Sequence, residues 1–109
     1  MPLDTAQTGP RLGRLTSHET RQRLEHARNS RLAQLRALDE SAQSTDAHLV
    51  SAQTEAIQRV LTEIDEAFAR VEDDTYGICQ GCAKPVPAER LEILPYTRYC
   101  VACQGHATA

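Results

Sequence analysis

The sequence is poor in large aromatic residues: its 109 residues include no tryptophan, one phenylalanine and three tyrosines. Because aromatic side chains bury the most surface per residue, a core of this composition must be built mainly from alanine, leucine and isoleucine. A chain this short forms one domain at most and buries little surface on folding. We therefore expect a metal ion or a coiled coil to support the fold.

Long apolar runs are also missing. The first ten residues, MPLDTAQTGP, have neither the basic start nor the apolar stretch of a signal peptide. We expect a cytoplasmic protein without a membrane-spanning segment. All four cysteines lie in two close pairs, and in a reducing compartment such pairs indicate metal binding rather than a disulfide framework.

An excess of positive charge is lacking as well, since the net charge is -3. Binding to nucleic acid through bulk charge needs clustered lysine and arginine, so direct DNA binding is not expected. Residues 1–36 nevertheless contain seven arginines and three acids, whereas residues 37–74 contain two arginines and ten acids. The basic part leaves an alternative open, an adaptor that binds DNA or another protein through Arg21, Arg28 and Arg31.

Two helices are predicted after a flexible tail at residues 1–15. Thr16 and Glu19 have the spacing of a capping box, and neither Pro nor Gly interrupts residues 17–43. The second helix has apolar residues at alternating spacings of three and four, the pattern of a coiled-coil seam. The seam positions are Val50, Ile57, Leu61, Ile64, Phe68 and Val71, with Thr54 as the polar member.

The first helix has a weaker seam, because arginines stand at two of its intermediate positions, 28 and 31. Its apolar members are Leu24, Leu35, Leu38 and Ala42. We expect packing near Arg28 to shift to Ala27 and Leu32. The connection near residues 43–48 is short and polar, which favours an antiparallel return of the chain. Gly77 is predicted to end the second helix.

The four cysteines have the spacing C-x2-C-x17-C-x2-C. Two such pairs supply the tetrahedral thiolate set that zinc favours, and four thiolates leave no open position for a reacting water. We therefore predict one structural zinc ion held by Cys79, Cys82, Cys100 and Cys103. A thiol-disulfide switch is the alternative, and His106 is a conceivable substitute ligand.

The predicted fold is mainly α, an antiparallel coiled-coil helical hairpin over residues 16–75 with a small C-terminal four-cysteine zinc finger over 76–105 and a tail at 106–109. Leu91, Ile93 and Leu94 are expected to pack the finger against the base of the hairpin. The sequence has no nucleophile with a base and an orienting partner, and no phosphate-binding glycine loop. An enzyme is therefore not expected.

The segment YGICQGCAKPVPAERLEILPYTRYCVAC resembles the C-terminal zinc finger of the DksA/TraR family. The shared features are the Tyr76-Gly77 pair, the stretch of residues 85–87, the Arg90-Leu91 pair, Pro95 and the four cysteines. The resemblance implies a transcription regulator that binds core RNA polymerase by inserting its coiled-coil tip into the secondary channel. Whether a nucleotide alarmone binds too, as for some relatives, stays open.

The resemblance also implies an acidic tip, which in the family has the pattern D-x-x-D-x-A. Asp46 takes the second acidic position here, while Gln43 and His48 stand at the other two. Asp39 and Glu40 are acidic and close in sequence. Asp39, Glu40 and Asp46 are therefore the residues expected to contact the polymerase. The family also has glycine after the second cysteine, where this chain has Ala83.

Overall fold

The computed structural model describes residues 16–41 and 46–108, with side chains described up to residue 105. Within these ranges there are four helices: α1 (Ser17–Ser41), α2 (Ala47–Glu72), α3 (Ala88–Ile93) and α4 (Val101–Thr108). Within these ranges there is no strand, and Ile78 and Pro85 form an isolated antiparallel bridge. The predicted mainly α class is confirmed. The expected tail at residues 1–15 and the centre of the expected tip, residues 42–45, lie outside the described residues.

The start of α1 is fixed by the predicted capping box. Glu19 N donates a hydrogen bond to Thr16 Oγ1 at 3.1 Å, and Thr16 N donates to Glu19 Oε1 at 2.9 Å. Each side chain thus satisfies a backbone N–H that the first helical turn leaves without a partner. Helix α1 therefore starts at a defined residue.

Helices α1 and α2 lie side by side in opposite directions. Arg21 of α1 pairs with Glu72 of α2 at 2.8 Å, and Arg28 pairs with Asp65. Arg28 follows Arg21 along α1, whereas Asp65 precedes Glu72 along α2 by the same number of residues. The two helices form the expected antiparallel hairpin, which we call the rod.

The best-packed part of the rod is its base, next to the finger. Leu24, Ile64, Ala67 and Val71 are buried there. Ala27 packs against this cluster as expected, whereas the expectation for Leu32 is wrong, because its side chain is 37% exposed. Arg28 keeps its place beside the seam, since its guanidinium lies 5.2 Å from the Phe68 ring centroid and pairs with an acid of α2.

Helix α2 is capped by an aspartate at each end, Asp46 at the N-terminus and Asp73 at the C-terminus. Asp46 Oδ1 accepts hydrogen bonds from His48 N at 2.8 Å and Leu49 N at 3.1 Å, as an N-cap does. The helix ends at Glu72 rather than at Gly77, because Asp74 already adopts the left-handed backbone conformation with φ of 60°. Gly77 has φ of 84° and turns the chain into the finger.

The finger is fastened to the rod through residues 95–97. Tyr76 Oη donates to Pro95 O at 2.7 Å, and Arg70 donates to Tyr96 O at 3.4 Å and Thr97 O at 3.5 Å. Burial lowers the pKa of Arg70 from its ordinary value, although the nearby Glu66 opposes this shift. Polar contacts from Arg70 of α2, and from Tyr76 just after it, thus hold the segment that precedes the second cysteine pair.

Two of the three finger residues that were expected to pack against the base of the rod lie elsewhere. Leu91 is buried, but in the finger's own core with Cys79 and Val86. Ile93 is 77% exposed, so its expected place against the rod is wrong. It is the last residue of α3 and its side chain faces outward. Within the described ranges, no helix combines the length and the apolar character needed to cross a membrane.

Candidate metal centre

The four cysteine sulfurs converge on one point. Their Sγ atoms all lie within 4.8 Å of one another, and Cys82 Sγ is 4.0 Å from Cys100 Sγ. A tetrahedral site with zinc–sulfur bonds of about 2.3 Å needs sulfurs roughly 3.8 Å apart. All four cysteines are free thiols, so none of their sulfurs is used in a disulfide. The set can hold one metal ion with small adjustments of the side chains.

Backbone hydrogen bonds shape the first cysteine pair. Cys79 N donates to Lys84 O and Ala83 N donates to Cys79 O, both at 2.8 Å. The sulfur of Cys79 accepts from Gly81 N at 3.3 Å and from Cys100 N at 3.4 Å. These N–H groups stabilise negative charge on the sulfur, which suits a thiolate ligand.

Gly81 is a site residue that the sequence reasoning missed. A Cβ atom at this position would lie 2.9 Å from Cys103 Sγ and 3.0 Å from Cys103 Cβ. The second cysteine pair therefore packs directly on the backbone of the first. The glycine between the cysteines of CQGC was the available signal, because a glycine often marks a close approach to the backbone.

The pKa values of Cys79 and Cys103 are shifted in opposite directions. Burial by itself raises the pKa of Cys79, but the backbone N–H groups of Cys100, Cys82 and Gly81 outweigh it and lower that pKa to about 6. Side-chain hydrogen bonds with Cys79 and Cys100, followed by burial, raise the pKa of Cys103 to about 12. A bound divalent metal ion takes its sulfur ligands as thiolates, so metal binding overrides this difference between Cys79 and Cys103.

Aromatic and basic side chains support the second pair. Arg90 Nε donates to Tyr99 O at 3.0 Å, and the Arg98 guanidinium lies 5.4 Å from the Tyr99 ring centroid. Thr97 Oγ1 also donates to Tyr99 O at 3.0 Å. Both arginines therefore act locally on the residue before Cys100. Helix α4 continues through Thr108, and the side chain of His106 is not among those described.

The acidic residues expected at the tip lie at the far end of the rod from the finger. Asp39 and Glu40 are exposed in the last turn of α1. Asp46 is exposed and caps α2, and His48 is exposed in the first turn of α2. Residue 43 lies outside the described ranges.

Residues 74–108 match the family model of the prokaryotic dksA/traR C4-type zinc finger. The expected likeness of the finger to that of the DksA/TraR family is thereby confirmed. The match covers the four cysteines whose sulfurs converge, and it supports one structural zinc ion in this finger. The predicted cofactor is thereby confirmed.

Curated relatives extend the likeness beyond the finger. An uncharacterized protein of Aquifex aeolicus is 49% identical over 39% of this chain and 30% of its own length. The RNA polymerase-binding transcription factor DksA of Caulobacter vibrioides is 28% identical over 79% of this chain and 61% of its own length. The chain thus matches less than two thirds of the length of either relative.

A solved structure shows the same fold. The transcription factor DksA2 of Pseudomonas aeruginosa aligns with a TM-score of 0.51 and 24% identity, over 84% of this chain and 77% of its own. The structural likeness includes the rod as well as the finger region, because the finger alone is too short to make up 84% of the chain. It confirms the predicted architecture.

The basic residues of α1 are largely engaged within the rod. Arg21 and Arg28 pair with acids of α2, and Arg31 donates to the hydroxyl of Tyr96 at 3.3 Å. Two of the three cations proposed for an adaptor surface therefore have anionic partners in the chain itself.

Proposed function

We propose that the protein is a transcription regulator that binds core RNA polymerase and inserts the tip of its rod into the secondary channel. One observation carries most of the proposal: a long two-helix rod stands on a DksA/TraR zinc finger, and its far end carries exposed acids. Relatives with the same finger are named RNA polymerase-binding transcription factors. The protein would act in the cytoplasm, where transcription takes place.

The dimensions of the rod suit insertion into a narrow channel. With 25 residues, α1 extends about 37 Å, and each helix with its side chains is about 10 to 12 Å wide. A rod two helices wide can therefore reach deep into a protein while its base stays outside. Exposed acids at such a tip would be attracted to a basic or cation-containing site on the partner.

Asp46 has two tasks in this proposal. It caps α2 through Oδ1, and its negative charge faces the polymerase. Asp39 and Glu40 add to that charge from the end of α1. Gln43 and His48 replace an acid and an alanine of the family pattern, so the tip carries less negative charge than the family pattern supplies.

The zinc finger has a structural task in this function. We propose Cys79, Cys82, Cys100 and Cys103 as the four zinc ligands, a set that leaves no coordination position for catalysis. The finger therefore anchors the base of the rod and performs no reaction. We infer accordingly that the protein is a binding protein and not an enzyme.

A pull-down with purified core polymerase tests the proposal. Asp46→Asn keeps the helix cap, because asparagine caps as well as aspartate, but it removes the charge. We expect the intact protein to be retained and Asp46→Asn to be retained several-fold less, since loss of one well-placed charge at an interface costs about 1 to 3 kcal/mol. Glu66→Gln, an exposed acid near the base, is the matched control and should bind like the parent.

Two results would count against this function. The first is no retention of the intact, zinc-loaded protein. The second is salt-sensitive binding of the isolated protein to DNA that is lost with Arg31→Gln, which would favour the adaptor alternative.

A further inference from the structure

A groove runs along one side of the rod in the half that lies away from the finger. It has a volume of 460 Å³ and lies between α1 and α2. Among the described residues that line it, none is charged. They are Gln34, Ala37, Leu38 and Ser41 of α1 with Gln53, Ala56 and Ile57 of α2. We call this the rod groove.

Two alanines at the same level of the rod leave this space. The ion pairs that join the two helices fix their register, and this register places Ala56 of α2 level with Ala37 of α1. The seam beside them is loose as well, since none of the described residues in 32–41 and 46–60 is buried. Protein interiors are close-packed with few voids, so a side chain from another molecule would fill a real gap here.

An exposed leucine extends the uncharged surface towards the tip. Leu49 is 52% exposed and stands four residues before Gln53 and seven before Ala56, so the three residues share one face of α2. The fully buried centre of a protein–protein contact is depleted of charged residues in the same way. The rod groove with Leu49 therefore has the composition of a contact centre.

Opposite charges stand on either side of the rod groove. Arg31 shares the groove face of α1, because it stands three residues before Gln34, and it lies about 10 Å from the groove centre towards the base. Its guanidinium donates to the neutral hydroxyl of Tyr96 at 3.3 Å. By the register of the helices, Asp46 lies about 14 Å from the same centre towards the tip.

These positions select the occupant of the groove. It must bring an apolar side chain to the centre, an acid to Arg31 and a cation to Asp46. The rod itself carries these three groups at the required spacing, because a second rod laid antiparallel over the groove brings its Asp46 to within one helical turn of Arg31. The same turn of geometry brings its Arg31 to Asp46.

We propose that the rod groove is a self-association surface, on which a second copy of this chain docks antiparallel about a two-fold axis. Such an isologous contact uses one patch twice. Leu38 of each copy then lies over the space that Ala37 and Ala56 leave in the other. The two Arg31–Asp46 pairs close the ends of the contact and fix its direction.

The size of the contact makes the pair reversible. The stretch from Arg31 to Asp46 is about 24 Å long, and a rod of two helices is about 20 Å wide. Such an overlap buries about 500 Å² per copy and about 1,000 Å² in total, which is typical of weak and transient complexes. The paired form therefore exchanges with single chains and is populated only at high concentration.

Sedimentation equilibrium of the full-length, zinc-loaded protein tests the inference without polymerase. Between about 1 µM and 1 mM, the weight-average mass should rise from that of one chain towards that of two. A mass that stays at one chain over the whole range would overturn the inference and leave the groove to a different partner. A mass that rises beyond two chains would also overturn it, because a two-fold contact closes on itself.

Two isosteric variants locate the contact on the rod. Gln53→Glu places a carboxylate in the rod groove, and the two-fold axis makes this charge enter the pair twice, so the dissociation constant should rise at least about tenfold. Gln58→Glu adds the same charge to the same helix outside the groove and should pair like the parent. Both positions are exposed, so both variants should keep the parent's melting temperature. Equal pairing of the two variants would place the contact on another face.

A double substitution tests the antiparallel direction. Arg31→Glu should weaken pairing, because its carboxylate meets Asp46 of the other copy, and Asp46→Asn should then restore part of the loss. Asparagine keeps the cap of α2, so the helix start is unchanged. If Asp46→Asn alone tightens pairing of the otherwise unchanged protein, the rods lie parallel with their acidic tips together and the inference is wrong.

Pairing would also hide the tip, because Asp46 of each chain lies against the other copy. This consequence rests on the proposed function, whereas the pairing does not. We expect core polymerase to convert pairs into single bound chains. If the protein pairs but is not retained by polymerase, only the proposed function falls. If it is retained by polymerase but stays single at every concentration, only the self-association surface falls.

Discussion

Ala83 has φ of 64°, in the left-handed region that glycine adopts freely and alanine does not. The conformation is imposed by its neighbours, because Ala83 N donates to Cys79 O and Cys79 N donates to Lys84 O across the same turn. The family pattern has glycine here. The first cysteine pair therefore carries a backbone strain of about 1 kcal/mol that a glycine would remove.

Ala83→Gly should tighten zinc binding about fivefold, because folding of the finger is coupled to metal binding and the relief of about 1 kcal/mol appears in the affinity. Competition with a chromogenic zinc chelator measures this effect. Gly81→Ala is the contrasting variant and should weaken zinc binding, since its Cβ would crowd the sulfur of Cys103. Equal affinities for Ala83→Gly and the parent would show that the turn is not strained.

The rod and the finger are distinct elements that meet at Tyr76. Tyr76 takes part in both apolar clusters and binds Pro95 through its hydroxyl. Burial is the main cause that raises the pKa of Tyr76 to about 12, against a smaller opposite effect of Arg70 and Arg23. The neutral phenol is thus the form that the junction stabilises.

Tyr76→Phe should lower the free energy of unfolding by about 1 kcal/mol, because the carbonyl of Pro95 loses its hydrogen bond. The folded pKa lies above the ordinary value of 10.0, so the contribution of Tyr76 is complete below pH 10 and is lost as the pH rises towards 12. The difference between parent and variant in denaturant melts should therefore shrink over that interval.

Tyr99→Phe is the control for this measurement, because Tyr99 makes its hydrogen bonds to Thr97 and Arg90 through its backbone. It should melt like the parent at neutral pH. A constant difference between the parent and Tyr76→Phe from pH 8 to 12 would contradict the assigned role of the phenol.

Regular spacing explains why most elements could be predicted from the sequence. The capping box of Thr16 and Glu19 depends only on neighbouring residues, and the α2 seam repeats over many turns. Leu32 could not be placed in this way, because its exposure depends on how α1 packs against α2. The exposure of Ile93 depends instead on how the finger meets the rod. Likewise, only the packed fold shows that Gly81 contacts the second cysteine pair and that Ala83 needs a positive φ.

The whole molecule combines a rod that is best packed at its base with an acidic far end. Its buried apolar cluster lies beside the finger, whereas the seam residues nearer the tip are only partly buried. Stability is thus concentrated where the zinc finger meets the helices. We assign recognition mainly to the opposite end and support to the base.

Photocrosslinking from the tip to core polymerase tests this assignment most directly. A photoreactive residue replaces His48, which is exposed in the first turn of α2, and the crosslinked polymerase peptides are identified. We predict crosslinks to residues that line the secondary channel, and none there from a probe at Val101. Crosslinks from position 48 only to the outer surface of the polymerase, or equal channel crosslinks from both positions, would contradict it.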